Sequence, residues 1–255
     1  MQPLFGFGLS EMNASRGTLA TIVKSGLLKT RVRPRPAPSL FMFPGLGSSS
    51  PVWDSTQHPV LQKIAAQLRE AYPVVLKEYK ALRTSVNNKN DYQVEHDSKL
   101  HTGSWAWNSY ILKGDRQADF ATHCPETVEL LESFRSPTIM SDTPFSFSFF
   151  STMGPGAKIA AHHGPCNLRL RCHFPLIVPT ASTEVGMEVG GQVVHWKAGE
   201  PVFFDDSYEH SVWNQTKEER VLLLFDLWHP ELDELEIDAI KDMFSHAREQ
   251  GWIKK

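Results

Sequence analysis

Two stretches far apart in the chain each offer a histidine in a strand-like setting: HHGPCNLRLRCHFPLIVP at 162–179 and FFDDSYEHSVW at 203–213. Basic residues cluster between and after them. Imidazoles held on separate strands suit a ferrous centre, which needs a few protein ligands on one side and open positions for cosubstrate and O2 on the other. The common pattern for such a centre is His-x-Asp/Glu followed much later by a second His. Here the residue two after His162 is Gly164, so the carboxylate is missing, and its absence is the most diagnostic feature of the chain.

Strand periodicity sharpens the candidates. In NLRLRCH, Asn167, Arg169, Arg171 and His173 point to one face, while Leu168, Leu170, Cys172 and Phe174 point to the other. A basic face is either a solvated outer surface or a seat for a cosubstrate with two carboxylates, which arginine's planar fork matches. His162 and His163 stand at a strand-to-turn boundary before Gly164-Pro165, and only one of them needs to bind metal. Its partner is His210, across intervening strands. Asp205 and Asp206 precede that second histidine, and because neighbours on a strand face opposite ways, at most one could face the metal. Two roles are open for them: hydrogen bonding to His210 or to a metal-bound water, or, for Asp206, capping a turn.

These residues need a scaffold of strands. From Phe145 onward the chain breaks into short β-rich runs punctuated by glycine and proline: FSFSFFST, NLRLRCHFPLIV, EVGMEVGGQVVHW, GEPVFFDD, HSVWNQ and ERVLLLFDLW. Such spacing predicts an antiparallel sandwich of the jelly-roll or cupin type. Before it, Val60, Leu61, Ile64, Leu68, Ala71 and Val75 mark one face of a helix that Pro73 interrupts. Residues 83–98 read as a polar loop, Trp105 to Ile111 as a strand, and Pro125 to Phe134 as a short helix. Leu232, Leu235, Ile237, Ile240 and Phe244 form the expected buried stripe of a C-terminal helix over 231–250. The expected organisation is a basic arm at 1–38 and one domain over 39–255, with a helical and loop layer at 39–140 and the β core at 145–230.

A net charge of −3 gives no reason to expect nucleic acid as a partner. Cys124, Cys166 and Cys172 are too few and too irregularly spaced for a disulfide framework or a zinc knuckle. The chain has no run of 18 apolar residues, so the expectation is a soluble, cytoplasmic protein without a transmembrane segment. Residues 1–36 are rich in Arg, Lys, Ser and Thr, which leaves organellar import as an alternative to a mobile arm.

Taken together, FPGL at 43–46, PG at 155–156, HHGPCNLRLRCH at 162–173, FFDDSYEHSVW at 203–213 and RVLLLFDLWHPEL at 220–232 resemble the aspartyl/asparaginyl β-hydroxylases. The resemblance runs from about Phe41 to about Leu232. It implies a mainly β fold with flanking helices around a double-stranded β-helix core. It also implies Fe(II) held by His162 and His210 with glycine in place of the carboxylate, and His163 in a variable position. The cosubstrate would be 2-oxoglutarate and the oxidant O2. Arg220 and Ser151 match positions at the distal carboxylate of 2-oxoglutarate, Arg171 and His173 positions near the carboxylate lost as CO2, and Trp105 and Met153 the same pocket's lining. Trp228 and His229 read as packing. The implied reaction is hydroxylation of an unactivated C–H bond, foremost the β-carbon of Asp or Asn in a peptide or protein. Alternatives are a free amino acid or acyl chain as substrate, an iron halogenase with chloride in the carboxylate's place, and a cupin-like binding module without turnover.

Overall fold

The computed structural model describes residues 36–46, 50–85, 89–92, 100–135, 137–180 and 183–253. Residues 1–35 of the basic arm and most of the polar loop after residue 85 lie outside these limits. Alternating side chains build two antiparallel sheets. The seven-stranded sheet runs in the order β1 (Val52–Trp53), β10 (Val202–Phe204), β7 (Arg169–Ile177), β12 (Arg220–Trp228), β5 (Phe147–Met153), β3 (Trp105–Leu112) and β4 (Asp115–Arg116). The five-stranded sheet runs β2 (His101–Thr102), β6 (Lys158–His162), β11 (His210–Asn214), β8 (Val185–Val189) and β9 (Gln192–Val194). The chain crosses repeatedly between the sheets, which gives the double-stranded β-helix.

Both faces of the larger sheet are covered. Leu170, Cys172, Phe174, Val221, Leu223, Phe225 and Leu227 turn outward and join one core with the helix α1 (Pro59–Thr84). Met153 and Leu222 turn inward and pack with Met187, Val189 and Val212 of the smaller sheet. That is why RVLLLFDLW reads as a nearly continuous apolar run: β12 is buried at every position. The basic face of β7 is the inner face, not a solvated surface, with Arg169 1% and His173 5% exposed.

Helix α1 departs from the expected break, because it continues through Pro73. The proline sits on the exposed side, opposite the buried residues Leu68, Val75 and Tyr79. Only the hydrogen bond to the solvent-side carbonyl of Arg69 is lost there, and packing of both halves on the sheet holds the helix together. Val60 is exposed rather than part of the buried stripe.

Two short helices, α2 (Ala118–His123) and α3 (Pro125–Ser133), extend the helical layer over the outer face. At the end of the chain, α4 (Glu234–Glu249) opens with a capping box in which Asp233 accepts from the backbone of Glu236 and Glu236 reaches back to Asp233. Ile240 and Phe244 are buried, with Ile237 packed beside them, against Met140, Leu168 and Trp228. Leu235, expected in that stripe, is 72% exposed; the helix begins at Glu234, three residues later than expected, and Leu235 falls in its first turn, off the face that carries Ile240 and Phe244.

Candidate active site

His162 and His210 face each other across the β6–β11 pair. The register shifts between His210 and Val212, so that Val212 pairs with Ile159 while His210 pairs with His162. Without that bulge, Ile159 and His162 would point to opposite faces; the extra residue re-aims His162 to the interior side. The ring centroids are 4.1 Å apart. Each Nδ1 lies against a carbonyl two residues earlier, Ala160 at 2.8 Å for His162 and Tyr208 at 2.9 Å for His210. A carbonyl only accepts, so each Nδ1 carries the proton and each Nε2 keeps its lone pair in the neutral ring. Burial lowers the pKa of His162. Burial and the neighbouring His162 push that of His210 down to about 3. Both rings are therefore neutral at physiological pH, the form that binds a metal.

Gly164 stands where a third ligand would be expected, and its surroundings have no room for a side chain. An added Cβ would lie 2.6 Å from Cγ and Oδ2 of Asp206 and 2.8 Å from that residue's backbone oxygen. Asp206 is fully buried and committed elsewhere. Arg169 donates to its two carboxylate oxygens at 3.1 and 2.5 Å, and Arg171 Nη1 lies 3.2 Å away. Asp226 completes a buried quartet by accepting from Arg169 Nη1 at 3.0 Å and from Arg171 Nε and Nη2 at 2.8 and 3.1 Å. Burial alone would raise the Asp206 pKa, but Arg169 and Arg171 hold it well below the ordinary carboxylate range. The turn is capped instead by Asp205, whose Oδ1 accepts from the Ser207 backbone at 2.9 Å. Among the described residues, no group of three His, Cys, Asp or Glu side chains converges as a metal cage.

The other end of the interior is built on one row across three strands. Trp105 pairs with Met153 in the β3–β5 register, and Met153 pairs with Arg220 in the β12–β5 register. Arg220 is 2% exposed and has no carboxylate partner among the described residues. Its Nη1 lies 3.3 Å from Ser151 Oγ, its Nη2 3.1 Å from Met153 Sδ, and its Nε has no partner. Burial without a counter-ion pulls its pKa down to about 9. Trp105 Nε1 also donates to Ser151 Oγ, at 2.9 Å, so the hydroxyl accepts twice and its own hydrogen is left to offer. His173 lies on the same inner face with its Nδ1 unpartnered, and burial, Arg220 and Arg171 hold its pKa well below the usual value.

The structure thus brings His162 and His210 together and gathers Ser151, Met153, Trp105 and Arg220 into one group. His163 is turned away, with Nδ1 3.0 Å from the Ser207 carbonyl and Nε2 3.8 Å from Glu209. Trp228 packs in the cluster beneath α4, and His229 is buried edge-on to Trp53. Sequence reasoning passed over Asp226. Half of its signal was available: a lone acid inside an apolar strand must be paired if it is buried, but only the structure shows that Arg171 is its cross-strand neighbour.

A double-stranded β-helix with a histidine pair on adjacent strands of its smaller sheet places the protein in the cupin-like, jelly-roll architectural class. The family model described as aspartyl/asparaginyl beta-hydroxylase matches residues 69–230, and the chain belongs to that family. It is 30% identical over 216 residues to aspartate beta-hydroxylase domain-containing protein 2 of Rattus norvegicus, a match covering 83% of this chain and 60% of the relative. Ornithine lipid ester-linked acyl 2-hydroxylase of Rhizobium tropici is 30% identical over 205 residues, covering 79% of this chain and 64% of the relative. The human aspartyl/asparaginyl beta-hydroxylase is 31% identical over 138 residues, 54% of this chain but 18% of that protein. The chain thus spans less than two thirds of the length of the curated relatives it matches.

Proposed function

We propose that this protein is an Fe(II)- and 2-oxoglutarate-dependent hydroxylase in which His162 and His210 hold the metal. The observation that carries this reading is the pairing of two neutral imidazoles with a buried arginine, where among the described residues neither Nε2 has a partner and the arginine has no counter-ion. When bound, Fe(II) supplies the activation of O2, coupled to oxidative decarboxylation of a 2-oxo acid, that places oxygen on an unactivated C–H bond. The rest is positioning by the chain itself. Arg220 and the Ser151 hydroxyl bind the distal carboxylate, and Trp105 fixes Ser151 for that task. His173 and Arg171 border the metal-proximal carboxylate, with Arg171 oriented by Asp206 and Asp226. Met153 lines the pocket and helps to exclude water from it.

The substrate we favour is the β-carbon of an Asp or Asn residue in a peptide or protein, a reading supported by membership of the aspartyl/asparaginyl beta-hydroxylase family and by similarity to the human enzyme. A second reading, hydroxylation of an acyl chain, is supported by similarity at the same level to the acyl 2-hydroxylase. Purified protein given Fe(II), O2 and 2-oxoglutarate should form succinate, stimulated by one member of a panel of Asp- or Asn-containing peptides, free amino acids and acylated lipids. Absence of succinate with every member would reject the hydroxylase reading in favour of a binding module. Chloride incorporation into product would replace it with halogenation.

A further inference from the structure

Buried side-chain nitrogens without partners are rare in folded proteins, because a desolvated polar group that finds no partner is destabilising. Among the described residues such nitrogens occur on Trp53, Trp107, His173, Trp196 and Arg220. Two of these residues, His173 and Arg220, each lie near a third, Trp196. Trp196 lies in the connection between β9 and β10, is 4% exposed, and packs with Met153 and Leu222 in the interior cluster. The Arg220 guanidinium lies 5.0 Å from the centroid of its ring, and the His173 ring 5.7 Å from it. Trp196 therefore lies between the two side chains that carry the unpartnered Arg220 Nε and His173 Nδ1. Its stacking on Arg220 also restricts where the guanidinium fork can swing.

One ligand group answers this arrangement. A carboxylate has about four lone-pair sites for donors, more than Arg220 and Ser151 alone fill. We propose that Trp196 is a further cosubstrate-binding residue: its ring orients Arg220, and its indole Nε1–H donates to the distal carboxylate of the bound 2-oxo diacid. This rests on the functional reading above. It assigns the neutral indole a share in selecting a dicarboxylate over a simple 2-oxo acid, since a monocarboxylate would leave both the cation and the indole donor unmet.

The test is calorimetric titration of 2-oxoglutarate, and separately of pyruvate, into the Mn(II)-loaded full chain. Trp196→Phe keeps a ring over Arg220 but removes the N–H. It should weaken 2-oxoglutarate binding by about tenfold, the effect of one hydrogen bond to a charged group, and leave pyruvate binding unchanged. Trp53→Phe, which removes an unpartnered buried indole elsewhere, should change neither. Equal 2-oxoglutarate affinity in Trp196→Phe overturns the proposal, as does an equal loss for pyruvate. If the wild-type protein binds no 2-oxoglutarate, the functional reading itself has failed, and this inference with it. Should Trp196→Phe not fold, indole N–H NMR signals of the otherwise wild-type protein decide the matter. A signal other than those lost in Trp105→Phe, Trp107→Phe and Trp53→Phe must shift with 2-oxoglutarate but not with pyruvate, and if none does, the proposal is wrong.

Discussion

Gly164 and Asp206 share one space: the Cβ that any other residue would bring to position 164 falls 2.6 Å from the Asp206 carboxylate. The glycine is therefore more than a missing ligand. It admits an acid that neutralises Arg169 and Arg171, and Gly164 N–H donates to the Asp206 carbonyl at 2.7 Å. The usual oxygenase carboxylate and this Arg–Asp quartet exclude each other sterically.

Gly164→Asp should consequently fail to build a three-ligand site. A second carboxylate forced against Asp206 would be overpacked and repelled, lowering stability by about 3 kcal/mol or more, whereas Gly164→Ala should cost about 1–3 kcal/mol. Urea unfolding of the metal-free proteins measures both. A Gly164→Asp variant as stable as the parent would contradict the shared-space account.

Removing one acid from the quartet should be more damaging than its place beyond the histidine pair would imply. Asp226→Asn leaves Arg169 and Arg171 short of a partner in a dry interior, and loss of one member of a buried ion pair costs about 3–5 kcal/mol. The same unfolding experiment reads it, and a loss below about 1 kcal/mol would show that the quartet is not structural.

Arg220 carries the opposite sign. As a buried cation with no counter-ion among the described residues it is destabilising without an anionic ligand, so Arg220→Met should raise the melting temperature of the ligand-free chain. The same substitution should weaken 2-oxoglutarate binding by about 2–5 kcal/mol, the range for an unpaired buried charge. An unchanged apparent affinity for 2-oxoglutarate would remove Arg220 from the pocket.

The buried imidazoles also set a pH dependence. His210 protonates at about 3 in the folded protein against 6.5 for the free side chain, and His162 and His173 shift the same way. Between those values the unfolded chain binds more protons, so stability of the metal-free protein is full above about pH 6.5 and falls as pH drops, by up to about 1.4 kcal/mol per unit for each such histidine. The depressed Asp206 carboxyl adds its own loss only below its ordinary value of 3.8. Denaturation midpoints between pH 7 and 4.5 should show the slope, and His210→Gln should reduce it. An identical slope in the variant would mean that His210 is not the buried neutral group described here.

Much of this was legible from residue order. The alternation in NLRLRCH put Arg169, Arg171 and His173 on one face, and all three are inward. The motif pair around His162 and His210 foretold two strands brought together, and they pair directly. What could not be read was long-range register. The bulge that re-aims His162 depends on how β6 meets β11, and the partnership of Asp226 with Arg169 and Arg171 depends on β12 lying beside β7. Pro73 misled because a local rule about helix breaking was outweighed by packing of both halves of α1 on the sheet. Trp196 gave no local signal at all, since a tryptophan in a turn-rich connection reads as core.

The central claim is that two imidazoles and no acidic side chain hold the metal, and anaerobic calorimetric titration with Fe(II) in the presence of 2-oxoglutarate tests it most directly. The wild-type protein and His163→Ala should each bind one Fe(II) per chain, while His162→Ala and His210→Ala should lose that binding. Retention of tight Fe(II) binding in His162→Ala or His210→Ala, or its loss in His163→Ala, would contradict the assignment.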